Sequence, residues 1–177
     1  MKRLFYALAL VIAVAASAFK PVAGIDWKIA GGYSIKFSAG EAAGIFKELK
    51  GTISFDESNL NASKFNVTIP VASINTGNAL MNKHAKGTDW FDAGKYPNIT
   101  FTSSKIVKAG AGYQAQGTLE MHGVKKAVNL PFTFKKAGNG GVFTGTFTVN
   151  RNDFRIGEAG GDVSNEIKLE VTVPVTK

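Results

Sequence analysis

Apolar and polar residues alternate with a period of two along most of this chain. FNVTI (65–69) sets Phe65, Val67 and Ile69 against Asn66 and Thr68. YQAQGTLEM (113–121) puts Tyr113, Ala115, Gly117, Leu119 and Met121 on one face. VNLPFTFK (128–135), FTGTFTVN (143–150) and IKLEVTVPV (167–175) repeat the pattern, with Phe132, Phe147 and Leu169 on their apolar faces. Strands with one dry and one wet face read this way. Three further strands are expected at 33–37, 51–55 and 99–107. Turn signals separate the segments: DESN (56–59), KAGAG (108–112), HGVKK (122–126) and KAGNGG (136–141). Their Gly and Asn residues permit positive φ in tight hairpins, so an antiparallel meander is predicted.

Two stretches depart from this period. SAGEAAGIFKEL (38–49) is expected to form a helical turn or a loop. NTGNALMNKHAKGTDWF (75–91) is the better helix, with Asn75 or Thr76 near its cap and Gly87 as its stop. No repeat, linker or second domain is visible.

Every strand has a wet face, so helices cannot cover the sheet. The apolar faces must meet across a sandwich, line a barrel, or face lipid. A lipid-facing barrel carries aromatic girdles at its ends. Here the aromatics are spread along the strands and the polar faces carry Thr, Asn, Gln and Lys. About eight strands close a barrel that holds one small ligand. Gly117 and Gly145 on inward faces are expected to leave room inside. Such an apolar calyx selects a long hydrocarbon over a polar metabolite.

Composition narrows the setting. The 177 residues suit one domain with a real core. Lys2 and Arg3, the apolar run Leu4–Ala16 and the small residues Ala16-Ser17-Ala18 read as a secretory leader over 1–18, with a second cleavage option after Gly24. The domain is then 25–177, exported to the periplasm or beyond. There is no cysteine, so a thiol nucleophile and every cysteine metal site are excluded. Net charge is +8, and +6 once Lys2 and Arg3 are removed. That balance serves solubility or attraction to an anionic membrane surface. A nucleic-acid partner is not expected, for the chain has no basic run.

Candidate chemistry sits in KHAKGTDWFDAGKYPNITF (83–101). His84, Asp89 and Asp92 invite a catalytic reading, but no serine, Ser103 included, lies in a G-x-S-x-G elbow. The spacing of the aspartates suits caps and Asx turns. The two histidines, His84 and His122, lack metal spacing. His122 is expected to be exposed in a hairpin turn. His84, near a barrel rim, is expected either to bond a backbone carbonyl or to reach a ligand head group. Trp90 and Phe91 would point to opposite sides of an extended chain. Arg151 and Asp153 are expected to pair as a salt bridge.

Three ordered blocks carry a family resemblance. The first holds Asp89, Trp90, Phe91, Tyr96, Pro97, Phe101 and Ser103. The second holds Gly117, Leu119, Gly123, Val124, Lys126 and Val128, and the third Arg151, Asp153, Phe154 and Ile156. On these the chain, from about Trp27 to Val175, resembles the YceI-like family of exported lipid- and polyisoprenoid-binding proteins. Ala85 stands where that family usually has Leu, and Met81-Asn82 where it commonly has Arg-Asp. The resemblance implies an all-β, lipocalin-like antiparallel barrel with one or two short helices near its mouth. It implies a bound isoprenoid or fatty acyl chain and a homodimer. No other cofactor, no metal and no catalytic residue are expected. The expected lining residues are Phe55, Phe65, Val67, Ile69, His84, Trp90, Phe91, Phe101, Leu119, Met121, Leu130, Phe132, Phe147 and Leu169. The expected role is non-catalytic sequestration or carriage of a polyisoprenoid, isoprenoid quinone or fatty acyl compound. The alternatives are an enzyme acting on a lipid or quinone head group near His84, and a small outer-membrane barrel.

Overall fold

Eleven strands wind into one sheet that closes on itself. The structure is a computed structural model describing residues 24–158 and 163–177, so the expected leader at 1–18 lies outside the described residues. In chain order the strands are β1 (Asp26–Ile29), β2 (Ser34–Gly40), β3 (Ala42–Phe46), β4 (Lys50–Ser54), β5 (Lys64–Pro70), β6 (Ile74–Asn75), β7 (Asn98–Ala109), β8 (Gly112–Met121), β9 (Val124–Ala137), β10 (Gly140–Asn150) and β11 (Val163–Thr176). One helix, α1 (Ala79–Lys86), lies between β6 and β7.

The ring runs β1-β4-β5-β7-β8-β9-β10-β11 and closes by β1 against β11, giving a barrel of eight antiparallel staves. The predicted meander is β7 through β11. Three staves are broken into two pieces. β1 and β2 both lie along β11, β4 and β3 continue beside them, and β5 and β6 form the next. Proline marks two of these breaks, because it has no N–H for a ladder. Pro174 sits where β11 changes partner, between Thr172↔Ser34 and Val175↔Ile29. Pro70 ends β5 and caps the 3₁₀ turn Val71–Ser73 that leads into β6.

The stretch 38–49 is not helical. Ala39 pairs with Ala42 across a tight turn, and Gly40 takes φ +67°. Its Ala and Glu are good helix formers, but tertiary pairing overrides propensity: β2 gains a ladder with β11 and β3 gains one with β6. The helix is shorter than expected and starts later, capped by the Asn78 side chain, which accepts from the Leu80 and Met81 amides. Gly87 ends it as predicted.

Apolar positions point inward and polar ones outward. Thr144, Thr146 and Thr148 on β10 are exposed, whereas Phe143 and Val149 are buried. A barrel spanning lipid needs an apolar outer band, so the outer-membrane alternative is set aside. One end of the interior is filled by aromatic rings. Phe55, at 1% exposure, sits among Phe65, Tyr113, Phe132, Phe134 and Phe143, with ring centroids 5.0 to 6.3 Å away. Trp27 tethers it, donating Nε1–H to the Phe55 carbonyl at 2.9 Å. Each such ring pair adds about 0.5–1.5 kcal/mol beyond burial.

Two predictions follow from this plug. Phe55→Ala opens a cavity at the centre of the rings and costs about 3–5 kcal/mol, read as a lower urea midpoint at unchanged slope. Tyr113 donates its hydroxyl to Glu57 Oε1 at 2.7 Å. Burial, then this bond and the Glu57 charge, push the phenol from 10.0 up to about 12. Between those values the folded state holds a proton that the unfolded state has lost. Stability is therefore complete below pH 10 and falls as pH rises through that window toward about 12. Tyr113→Phe should flatten that part of the stability profile, and tyrosinate absorbance of the native protein should show one late-titrating phenol.

Candidate functional site

The other end of the barrel is covered by chain rather than filled by rings. β6 pairs with β3 but not with β7, which leaves a gap in the ring. Helix α1 and the turns at 87–97 close it. Asn82 ties the helix down, its side-chain oxygen accepting from the Thr76 amide at 2.7 Å and the Thr76 hydroxyl at 2.9 Å. Met81, His84 and Ala85, spaced i, i+3 and i+4, form the face of α1 that lines the interior.

The segment after α1 folds back on it. Phe91 donates its amide to the Ala85 carbonyl and Asp92 donates its amide to that of Gly87, with Asp92 at φ 42°. Because the chain turns here instead of running extended, Trp90 and Phe91 do not part to opposite sides. Both line the interior. Phe91 meets Phe46 edge-on at 6.2 Å, and Trp90 lies 5.3 Å from the Arg151 guanidinium.

Arg151 is buried, at 3% exposure, and does not pair with Asp153. Asp153 is exposed, and the ion pairs among the described residues are Lys50–Glu48, Lys125–Glu120 and Lys168–Glu170. Residues 151–154 form a 3₁₀ turn, which breaks the extended geometry that would align the two side chains. Arg151 instead donates to four carbonyls: Ile156 and Glu158 at 2.8 Å, Val163 at 3.0 Å and Ser164 at 3.2 Å. It pins both sides of the β10–β11 connection beneath the Trp90 ring.

Tyr96 makes a second lock, beside the same Arg151–Phe154 turn. Its ring packs against His122 at 4.7 Å, and a Cβ on Gly123 would lie 2.5 Å from it. Only glycine fits there. His122 is half-buried, with Nδ1 3.2 Å from the Phe154 carbonyl, and is not the exposed turn residue expected.

Between the plug and this mouth lies a cavity of about 400 Å³ with an almost wholly apolar wall. That is within the range of about 300–1,000 Å³ for small-molecule sites. Of the expected lining residues, Phe65, Val67, Ile69, Phe101, Leu119, Met121, Leu130, Phe132, Phe147 and Leu169 are on the wall, as are His84, Trp90 and Phe91 at the mouth. Phe55 is not. It faces inward as its strand pattern requires, but at the height where the rings already fill the barrel. Sequence reasoning missed the wall supplied by Phe37, Phe46, Ile74 and Ala42: β3 and β6 are too short to show alternation, and Phe37 ends the strand expected at 33–37, whose inward face was not assigned.

The inward glycines do not serve as expected either. A Cβ on Gly117 would meet the Thr102 carbonyl at 2.3 Å, and one on Gly145 would meet the Pro131 carbonyl at 2.8 Å. Gly117 lets β7 and β8 approach closely, and Gly145 makes room for the Pro131 carbonyl, so neither adds space inside.

The His84 ring is exposed at the mouth and forms no hydrogen bond with another described side chain or carbonyl. The carbonyl partner considered for it is therefore not present among the described residues. Asp89 accepts from the neighbouring Thr88 hydroxyl at 3.4 Å, and the Asp92 carbonyl accepts from the Lys95 and Tyr96 amides. Ser103 is buried and its hydroxyl accepts from the Phe65 amide at 2.8 Å, beside the bulge in β7. These groups stabilise turns and strands and do not converge on one point. Among the described residues, no three His, Asp or Glu side chains gather to hold a metal ion.

The comparisons agree with this geometry. The YceI-like domain matches residues 27–175. A UPF0312 protein of Pseudomonas syringae pv. tomato is 37% identical over 156 residues, covering 84% of this chain and 78% of the relative. Protein YceI of Escherichia coli O157:H7 is 36% identical over 140 residues, covering 73% of this chain and 71% of the relative. Among solved structures, Burkholderia cenocepacia BcnA superposes with a TM-score of 0.81 at 27% identity, covering 84% of this chain and 100% of that one. A polyisoprenoid-binding domain from Saccharophagus degradans shares the fold at a TM-score of 0.59 and 16% identity, covering 85% of this chain and 93% of that one. By its matching domain, its curated relatives and its barrel, this chain belongs to the YceI-like family.

Proposed function

We propose that the protein binds and carries a single long hydrophobic chain in its barrel, without catalysing a reaction on it. One observation carries this reading. Phe37, Phe65, Leu130, Phe132, Phe147 and Leu169 all face the interior, yet each is only half-buried. Well-packed cores leave no such surface, so these side chains border space shaped for an apolar guest. Burial there contributes about 25 cal/mol per Å² of apolar surface, which favours a polyisoprenoid, an isoprenoid quinone tail or a fatty acyl chain over a polar metabolite.

The polar end of the guest lies at the mouth, beside His84. That placement is supported by the position of the one cavity-facing histidine, with Lys83 and Lys86 on the same helix. In this reading the 1–18 leader delivers the chain to the periplasm. The mouth approaches an anionic membrane surface through exposed Leu80 and Met81, at 61% and 44% exposure, flanked by those lysines.

Protein purified from its host and sprayed natively should carry a mass adduct that organic extraction recovers as a lipid. An empty cavity that also takes up no isoprenoid or acyl probe would overturn the reading. Leu169→Trp should fill the cavity, cost no more than about 1–3 kcal/mol and abolish uptake. Phe101→Arg, which sets an unpaired charge at a site 6% exposed, should lose both stability and uptake. His84→Ala separates carrier from enzyme: retained occupancy with no turnover of a lipid or quinone in either protein fits the carrier. Turnover present in the parent and lost in the variant fits the enzyme.

A further inference from the structure

The ring has a second gap, separated from the first by β7, β8 and β9. β9 pairs with β10 only from Gly140↔Ala137 to Thr144↔Thr133. Beyond that rung, the β9 residues 124–132 keep their ladder with β8, and the β10 residues 145–150 keep theirs with β11, but the two strands no longer bond each other. Pro131 stands at the start of this gap. Its carbonyl faces β10, 2.8 Å from where a Gly145 Cβ would lie. On an extended residue the N–H points to the same side as the carbonyl, so the donor that proline lacks is the one β10 would need. Thr133 and Thr144 close the last rung, hydroxyl to hydroxyl, at 2.7 Å.

The first gap, between β6 and β7, is covered by α1 and its turns. Among the described residues no helix lies across the second, and the 3₁₀ turn Arg151–Phe154 reaches its upper end. At its lower end an outer groove of about 350 Å³ indents the surface. Pro131, Phe132, Thr144 and Gly145 line both this groove and the interior cavity. At that height Pro131 and Gly145 are not joined to each other by a ladder, though each keeps one with its other neighbour. No charged residue lines the groove, whereas the mouth holds His84 and Arg151.

We propose that this seam is a side portal through which the apolar end of a bound chain longer than the cavity leaves the barrel, to lie in the groove beside Tyr113 and Thr146. The proposal rests on the carrier reading. It adds the path and orientation of the guest: polar head under α1, tail through the β9–β10 seam. Strand separation here costs no ladder, because none exists to break. A barrel with this outlet accepts chains of graded length instead of one.

The parent has no cysteine, so a single Thr146→Cys is a unique label site on an exposed position. With a fluorophore there, saturated acyl chains carrying a nitroxide at the far end should quench it strongly, and chains with the nitroxide beside the carboxylate should not. A control label at Leu80→Cys should show the reverse. Thr146→Trp fills the groove from outside. It should weaken binding of the longest chains by about tenfold for every two methylenes excluded, and leave short chains unaffected. Equal quenching at both labels for both probes, or identical length profiles for Thr146→Trp and the parent, would overturn the portal while the carrier stands. If no chain of any length binds the parent, the carrier reading falls and the portal with it.

Discussion

Phe55 decides which part of this barrel is solid. Eight staves enclose more volume than one layer of inward side chains fills, and the surplus has to appear somewhere. Around Phe55 five rings and the Trp27 tether remove it. Above them the same alternation supplies smaller or more widely spaced groups, such as Val67, Ala115 and Leu119, and the surplus becomes the cavity. Without the plug the apolar interior would be a channel open at both ends. With it, the interior is a pocket with a floor.

The mouth is built from locks between segments distant in sequence. Arg151 gathers four carbonyls of the β10–β11 connection and presents its face to Trp90. Tyr96 rests on His122 and Gly123 of the β8–β9 turn. A buried guanidinium is costly unless its donors are satisfied, and carbonyl oxygens satisfy them here without a counter-charge. On sequence alone Arg151 was expected to meet Asp153 and His122 to stand exposed in a turn. Their partners show that they hold the rim and leave His84 as the titratable cavity-facing group at the mouth without a side-chain bond to another described residue.

Prolines organise the openings. Each of Pro70, Pro131 and Pro174 stands where a strand changes or loses a neighbour. Two of the three breaks are repaired by the next piece of chain. The third, at Pro131, remains a seam between cavity and surface.

The sequence by itself determined the long strands, the facing of their side chains, the helix stop at Gly87 and part of the cavity wall, because a period of two is a local property of the pleat. It also carried the signal for the seam, a proline inside the VNLPFTFK strand, though its effect depends on which side the missing N–H faces. That side is set by neighbours, and only the tertiary structure supplied them. The same holds for β1, β3 and β6, whose few residues become strands by pairing across the ring, and for Gly117 and Gly145, whose backbones turn out to be crowded. Whether Phe55 lines the cavity or seals it, and whether Arg151 meets Asp153 or four carbonyls, depends on contacts made across loops. Periodicity gives a residue its face, and packing in three dimensions gives it its height along the barrel and its partners.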